Sequence, residues 1–512
     1  MRRFWRFIFS RPAISAYLIL AEILLISYVI VGATATFFYF VAAISVIVDL
    51  AALISIINRD ANPEYKVTWS VVVLLLPILG AFLYATFYRR RISKKEERLL
   101  NGIFSQINNH RLGRGTFDMM RRRSPLAAGK ARAIMHDDPI AEVYTNSCST
   151  YFASGEKYFE SLIADLKEAK SYILMEYYII DYGVLWDEIH AILKEKAQSG
   201  VEVRLLYDDF GCMHTLDWRY EEKLCSEGIK TRIFSKVSPK MSSVHNNRDH
   251  RKICVIDGRV GYTGGVNIAD EYINAIERFG HWKDGGIKIH GDAVRGLIKE
   301  FFAGWDLTTR SVSDYGRYLE EVQPAPYNDG GYYIPFGSGP APIYQRPSGK
   351  NAFLNLINQA RNYIYITTPY LVIDYELTQA LCNAALRGVD VRMITPGIPD
   401  KKKVKIMTRS AYPYLMQAGV KIYEYVPGFI HEKCLVTDDK YAVVGTINFD
   451  YRSFNHNFEN AIWMYASPTA LAVKEEFLIT QNKSEREDEK KCRLTFTEWV
   501  IRNGIRLFAP LM

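Results

Sequence analysis

No two of the seven cysteines form a C-x-x-C pair. They stand at positions 148, 212, 225, 254, 382, 434 and 492, with no spacing suited to a metal ion, so no structural zinc is expected. Thiols scattered in this way fit a reduced body facing the cytosol. Net charge is also scarce: 64 Lys and Arg against 56 Asp and Glu leave +8. The basic residues nevertheless come in blocks, Arg89-Arg90-Arg91, Arg121-Arg122-Arg123 and Lys401-Lys402-Lys403. Any one block is ordinarily a solvated face, but together they favour an anionic partner, either a membrane surface or a nucleic acid. A cleaved signal peptide is not expected, because the apolar N-terminal sequence is too long and is followed by a further span.

What the chain has in abundance at its start is apolar sequence. After Arg2, Arg3, Arg6 and Arg11 come stretches at about 13–33, 36–57 and 68–88, each close to the ~20 residues that cross a bilayer core. Glu22 and Asp49 interrupt the first two, either as functional carboxylates or as groups that snorkel or pair between helices. Pro77 and Gly80 would kink or loosen the third. The leading arginines and the cluster Arg89 to Arg91 with Lys94 and Lys95 both argue for the cytosolic side, which an odd number of spans cannot satisfy. Either the larger cluster prevails or the first stretch does not fully cross. In both cases the rest of the chain is expected in the cytosol.

The soluble part is organised around an octapeptide that occurs twice. His250-Arg251-Lys252-Ile253-Cys254-Val255-Ile256-Asp257 and His431-Glu432-Lys433-Cys434-Leu435-Val436-Thr437-Asp438 both read H-x-K, four residues, Asp. Seven residues after each Asp stands a glycine, Gly264 or Gly445, and three further on an asparagine, Asn267 or Asn448. Asp257-Gly258 is a hairpin signal after an apolar strand. Strand alternation puts His250 and Lys252 on one face, and the hairpin can return Asn267 towards them. An imidazole serves as nucleophile or proton donor near neutral pH, while Lys and Asn can hold the oxygens of a phosphodiester. One such motif can arise by chance on a strand surface; two with matched glycine and asparagine point to paired chemistry.

These residues resemble the paired HKD signature of the phospholipase D superfamily, in which two copies form one active site. The run Gly445-Thr446-Ile447-Asn448-Phe449-Asp450-Tyr451-Arg452-Ser453 is similar to the continuation of that signature. The segments 62–69 and 76–84 resemble the membrane module of bacterial cardiolipin synthases. The resemblance implies catalytic roles for His250, Lys252, Asp257, His431, Lys433 and Asp438, and substrate contacts from Asn267 and Asn448. Glu459 and Asp284, the latter in Trp282-Lys283-Asp284, match family carboxylates and could set a histidine tautomer. The alternative is an ordinary surface acid, above all for Asp284. Asp257 and Asp438 could equally hold their turns. The resemblance further implies that two phosphatidylglycerol molecules give cardiolipin and glycerol through a phosphohistidine, without metal or cofactor. His250 is the expected nucleophile and His431 the expected acid and base, an order that could be reversed. A phospholipase D hydrolysing phospholipid is the alternative, and nucleic acid is not an expected partner.

An internal repeat supports an α/β fold. Ala169 to Met175 parallels Ala360 to Ile366, and Gly200 to Arg204 parallels Gly388 to Arg392. Each half runs helix, strand, helix, strand, histidine hairpin, which predicts two tandem αβα sandwiches with mixed sheets packed as pseudo-twofold partners. The expected order is a transmembrane module at 1–92, a basic connector at 93–139, repeats at 140–325 and 326–482, and a linker with an amphipathic end at 483–512. Leu494 to Met512 could lie on the bilayer or pack on the body.

Overall fold

The computed structural model describes residues 17, 35–59, 62–88, 93–236, 247–341, 343–488, 492 and 495–509. The apolar stretch at 13–33 lies outside them. The chain divides into two compact units, one formed by Met1–Ser93, Val237–Asn247 and Asn503–Met512, the other by Lys94–Lys236 and Arg248–Arg502.

In the first unit, a helix runs from Ala35 to Ile57. Its part Tyr39–Ile57, 19 residues, is the one helix among the described residues long and apolar enough to cross a membrane. The expected span at 68–88 is not a single helix. It breaks after Pro63–Leu75 and resumes as Leu79–Leu83 and a π-turn at Tyr84–Tyr88. Pro77 supplies no N–H to the helix, and Ile78 adopts a left-handed φ of 62°. Asp49 Oδ1 accepts the Ile78 N–H thrown free at 3.2 Å, so this carboxylate partners the broken backbone. The chain then turns back: Tyr84 OH lies 3.3 Å from Ser55 Oγ, about 9 Å of helical rise from Asp49. Its ring packs edge-on to Trp69, at 5.7 Å, on the outgoing leg. The stretch at 68–88 is therefore part of a short helical hairpin packed on the preceding helix. Thr68 Oγ1 also donates to the Leu507 carbonyl at 2.8 Å. The helix Phe496–Phe508, which contains Leu507, has no buried side chain.

In the second unit, two mixed sheets share one strand order. The first runs Ser147–Phe152, Gly286–Gly291, Val260–Gly264, Ile253–Ile256, Tyr172–Tyr177, Glu202–Asp208, Lys230–Phe234. The second runs Tyr332–Ser338, Glu459–Tyr465, Tyr441–Gly445, Cys434–Thr437, Tyr363–Thr367, Asp390–Pro396, Lys421–Tyr425, with Ser484–Arg486 added at the edge. In each the last three of these seven are parallel and the others antiparallel. Helices cover both faces, which is why Tyr172–Tyr177 and Tyr363–Thr367 are buried throughout. The halves exchange packing. Helix Val294–Thr309 of the first lies on strand Tyr332–Ser338 of the second, and helix Thr469–Asn482 of the second lies on strand Ser147–Phe152 of the first. Phe301, Phe302, Met464 and Phe477 belong to one apolar cluster that spans both halves.

The histidine strands end in matched turns. Asp257 and Gly258 sit at φ 53° and 59°, Asp438 and Asp439 at 55° and 57°, the primed-turn conformation of a tight hairpin. Asp257 accepts backbone N–H bonds from Lys170, Ser171 and Tyr172 at 2.7–2.8 Å. Asp438 does the same for Arg361, Asn362 and Tyr363 at 2.8–3.2 Å. Both carboxylates thus clamp the start of the neighbouring strand, at the end of the hairpin away from the histidine. The paired glycines downstream permit close strand approach: a Cβ on Gly264 would lie 2.5 Å from Gly286 Cα, and one on Gly445 2.4 Å from Asn460 O. Asp257→Ala strands buried N–H groups, so it is expected to cost about 1–3 kcal/mol. A lowered melting temperature of the purified chain, with an unaltered pH profile of activity, is the expected result.

Candidate functional site

Each histidine is seated by backbone from the opposite half. His250 N–H donates to the Phe458 carbonyl at 2.8 Å, and His431 N–H to the Lys283 carbonyl at 2.7 Å. Strand Gly428–Ile430, leading into His431, pairs in parallel with His281–Lys283. Asp249 pairs in the same sense with Phe458. The residue after each supporting strand segment is a carboxylate. His250 Nδ1 lies 2.8 Å from Glu459 Oε2, and His431 Nδ1 lies 2.7 Å from Asp284 Oδ2. Each half therefore supplies the carboxylate that orients the other half's imidazole. Asp284 is not a surface acid: it is wholly buried, as is Glu459. With Nδ1 turned to a carboxylate, Nε2 is the nitrogen left for chemistry.

The lysines complete the cluster. Lys252 Nζ donates to the His250 carbonyl at 2.6 Å. Lys433 Nζ donates to the His431 carbonyl and lies 2.8 Å from His431 Nδ1. Both ammonium groups are buried, and burial lowers Lys252 to about 7 and Lys433 to about 8. Burial, then Lys252 and Lys433, pushes the basicity of His250 well below the usual imidazole range. Burial and Lys433 take His431 to about 3. The two motifs thus act on one another: His250 feels Lys433, and His431 feels Lys252.

The two carboxylates differ. Burial raises Glu459 to about 7, against Lys252 and a hydrogen bond from Thr446. Burial would also raise Asp284, but Lys433, His431 and the Gly285 N–H outweigh it and hold the group below its ordinary value. An anion arriving between the imidazoles offsets the lysine field and restores histidine basicity.

The asparagines part company. Asn267 Oδ1 accepts the Ile179 N–H at 3.1 Å and its Nδ2 donates to Tyr272 OH at 2.6 Å. It fixes Tyr272, whose ring stands edge-on to His431 at 5.6 Å. Asn448 Oδ1 is buried without a hydrogen-bond partner among the described residues. Sequence reasoning overlooked the aromatic walls: Tyr178 lies 5.0 Å from the His250 ring, and Trp282 and Phe429 flank His431 at 5.4 and 5.7 Å. It also overlooked Arg251, buried against Asp249 at 2.9 Å, Glu176 at 2.6 Å and Glu300 at 3.5 Å. The available signal was a charge on the inward face of an otherwise apolar strand lead-in. No group of His, Cys, Asp and Glu suited to a metal occurs among the described residues.

A family model described as "Cardiolipin synthase, PLD-like domain" matches residues 162–277 and again 353–479. Cardiolipin synthase from Alkalihalophilus pseudofirmus is 33% identical over 93% of this chain and 95% of its own length. The chain belongs to the cardiolipin synthase family. Cardiolipin synthase from Geobacillus kaustophilus is likewise 33% identical, over 91% of this chain and 92% of its own. Membership in this family makes the chain an enzyme of the phospholipase D type. A phospholipase D-nuclease N-terminal model covers residues 47–87, the latter part of helix Ala35–Ile57 and the hairpin after it. Among solved structures, phosphatidylserine synthase from Haemophilus influenzae superposes with a TM-score of 0.55 at 15% identity, covering 75% of this chain and 98% of that one, and shows the same fold.

The lysines make anion binding pH-dependent. A lysine is charged below its pKa, so attraction is lost as pH rises through 7 to 8. Affinity for dimethyl phosphate, a monoanion throughout, is expected to fall over that window in a titration. Lys252→Arg is expected to move the fall to higher pH.

Proposed function

We propose that the chain is a phosphatidyltransferase that joins two phosphatidylglycerol molecules into cardiolipin and releases glycerol. The crossed pairing of two histidines with two carboxylates around two buried lysines carries this reading, because it prepares one anion site with a nucleophile and a proton carrier. His250 Nε2 attacks the donor phosphorus, forming a P–N bond as the P–O bond to glycerol breaks. His431 gives its proton to the departing oxygen. It then takes the proton from a hydroxyl of the second lipid, whose oxygen attacks phosphorus and breaks the P–N bond.

The unequal carboxylates support this order. Once a phosphodiester offsets the lysine field that takes His431 to about 3, Asp284, held ionised, favours the imidazolium there, whereas Glu459 at about 7 favours it less at His250, which stays neutral and nucleophilic. Lys252 and Lys433 stabilise the added negative charge in flight, and Asn448 offers its side-chain amide to the same oxygens. Asp257 and Asp438 act as structural clamps and Asn267 as the group that fixes Tyr272.

Incubation of the purified chain with phosphatidylglycerol is expected to give cardiolipin and glycerol; phosphatidic acid as the main product would make it a hydrolase. Acid quench with labelled donor is expected to leave label on His250 and none in His250→Ala. Label on neither histidine would overturn the covalent scheme.

The hairpin at 63–88 bears on localisation. If the apolar stretch at 13–33 crosses as well as Tyr39–Ile57, two crossings would put the arginines at the start and at 89–91 on the same side and remove the odd-span conflict. We place the catalytic unit on the cytosolic side of a two-pass anchor. Reporter fusions at residues 62 and 100 are expected to read cytosolic at both; an external signal at 100 would refute this arrangement.

A further inference from the structure

Cardiolipin carries two phosphodiesters, and only one of them is made or broken between the imidazoles. The acceptor lipid brings its own phosphate, a bystander anion one glycerol away from the reacting phosphorus. The H-x-K lysines are buried and turned to the histidine carbonyls, so a second anion needs a second cation.

Three cations depress the basicity of His250, in order Lys252, Lys433 and Lys401. The first two are buried; the side chain of Lys401 is 64% exposed. Its ammonium lies 3.2 Å from Tyr370 OH, 5.0 Å over that ring and 3.4 Å from Asp400 Oδ2. Tyr370 OH itself donates to Asp400 Oδ2 at 2.6 Å. This segment belongs to the wall of the site. The Tyr370 ring is 6.3 Å from Phe429, which lies against His431. Thr368 Oγ1 accepts the Phe449 N–H at 3.1 Å and donates to the Tyr370 carbonyl, while Leu371 pairs with Phe449 in the second motif's continuation. Burial raises Asp450, next along that continuation, and Lys401 is among the cations that oppose that rise.

We propose that Lys401, seated on Tyr370, is a second anion subsite that takes the non-reacting phosphate of the acceptor lipid. The inference rests on the transferase reading. Asp400 opposes an anion, and its role is to hold the ammonium folded over Tyr370 until a phosphate competes for it. Because the lysine stem is long and its head is in water, that exchange needs no backbone movement. The subsite then favours an acceptor that carries its own phosphate over one that does not.

The test compares two acceptors for the same phosphatidyl-enzyme. Full-length protein in mixed micelles is given phosphatidylglycerol with labelled glycerol; label entering phosphatidylglycerol reports transfer to an acceptor without phosphate, and cardiolipin reports transfer to one with it. Lys401→Ala is expected to lower the ratio of cardiolipin to glycerol exchange roughly two- to fivefold. The expected cause is a raised KM for the acceptor, and Lys401→Arg is expected to restore the ratio. An unchanged ratio, whether both reactions fall together or neither does, would overturn the subsite. Absence of both reactions in the unsubstituted protein would instead overturn the transferase reading.

Discussion

Two hydrogen bonds that cross between the halves, Glu459 to His250 and Asp284 to His431, set the terms for the rest of the molecule. A carboxylate buried without a partner is strongly destabilising, by about 3–5 kcal/mol when one member of such a pair is lost. The backbone therefore has to deliver each imidazole to the opposite half with little error. It does so through the short parallel pairings at 428–430 with 281–283 and at Asp249 with Phe458, and behind them through the exchanged helices. Aromatic residues stand around each ring, Tyr178 beside His250 and Tyr272, Trp282 and Phe429 beside His431.

The same burial shapes the electrostatics of the candidate site. Two lysines sealed inside the body, with ammonium groups lowered to about 7 and 8, hold positive charge in a place that resists it. In the proposed reaction the phosphodiester of the lipid would relieve that strain on arrival. The carboxylates keep the assembly from being simply repulsive.

From the sequence, the repeated octapeptide, the turn at each aspartate and the helix–strand alternation are legible because each is local. Asp257 and Asp438 have their partners one strand away, and turn chemistry alone suggests their work as clamps. Which histidine Glu459 and Asp284 serve is not legible, since it depends on how two halves pack. The hydrogen bonds of Asn267 to Ile179 and Tyr272 are not legible either, since they depend on the chain's return. The stretch at 68–88 has the composition of a span; only Asp49, from the preceding helix, shows how a break at Ile78 is sustained in apolar surroundings. Arg251, placed between two catalytic candidates, faces away from both into its own ion network.

One consequence of carrying both repeats on a single chain concerns equivalence. Were the body assembled from two copies of one repeat, the operator relating them would oblige the paired sites to be identical, and a donor and an acceptor of protons could be told apart only transiently. Covalent fusion lifts that obligation. Glu459, raised to about 7, and Asp284, held below its ordinary value, are an asymmetry written into the primary structure, and the proposed division of labour between the two imidazoles draws on it.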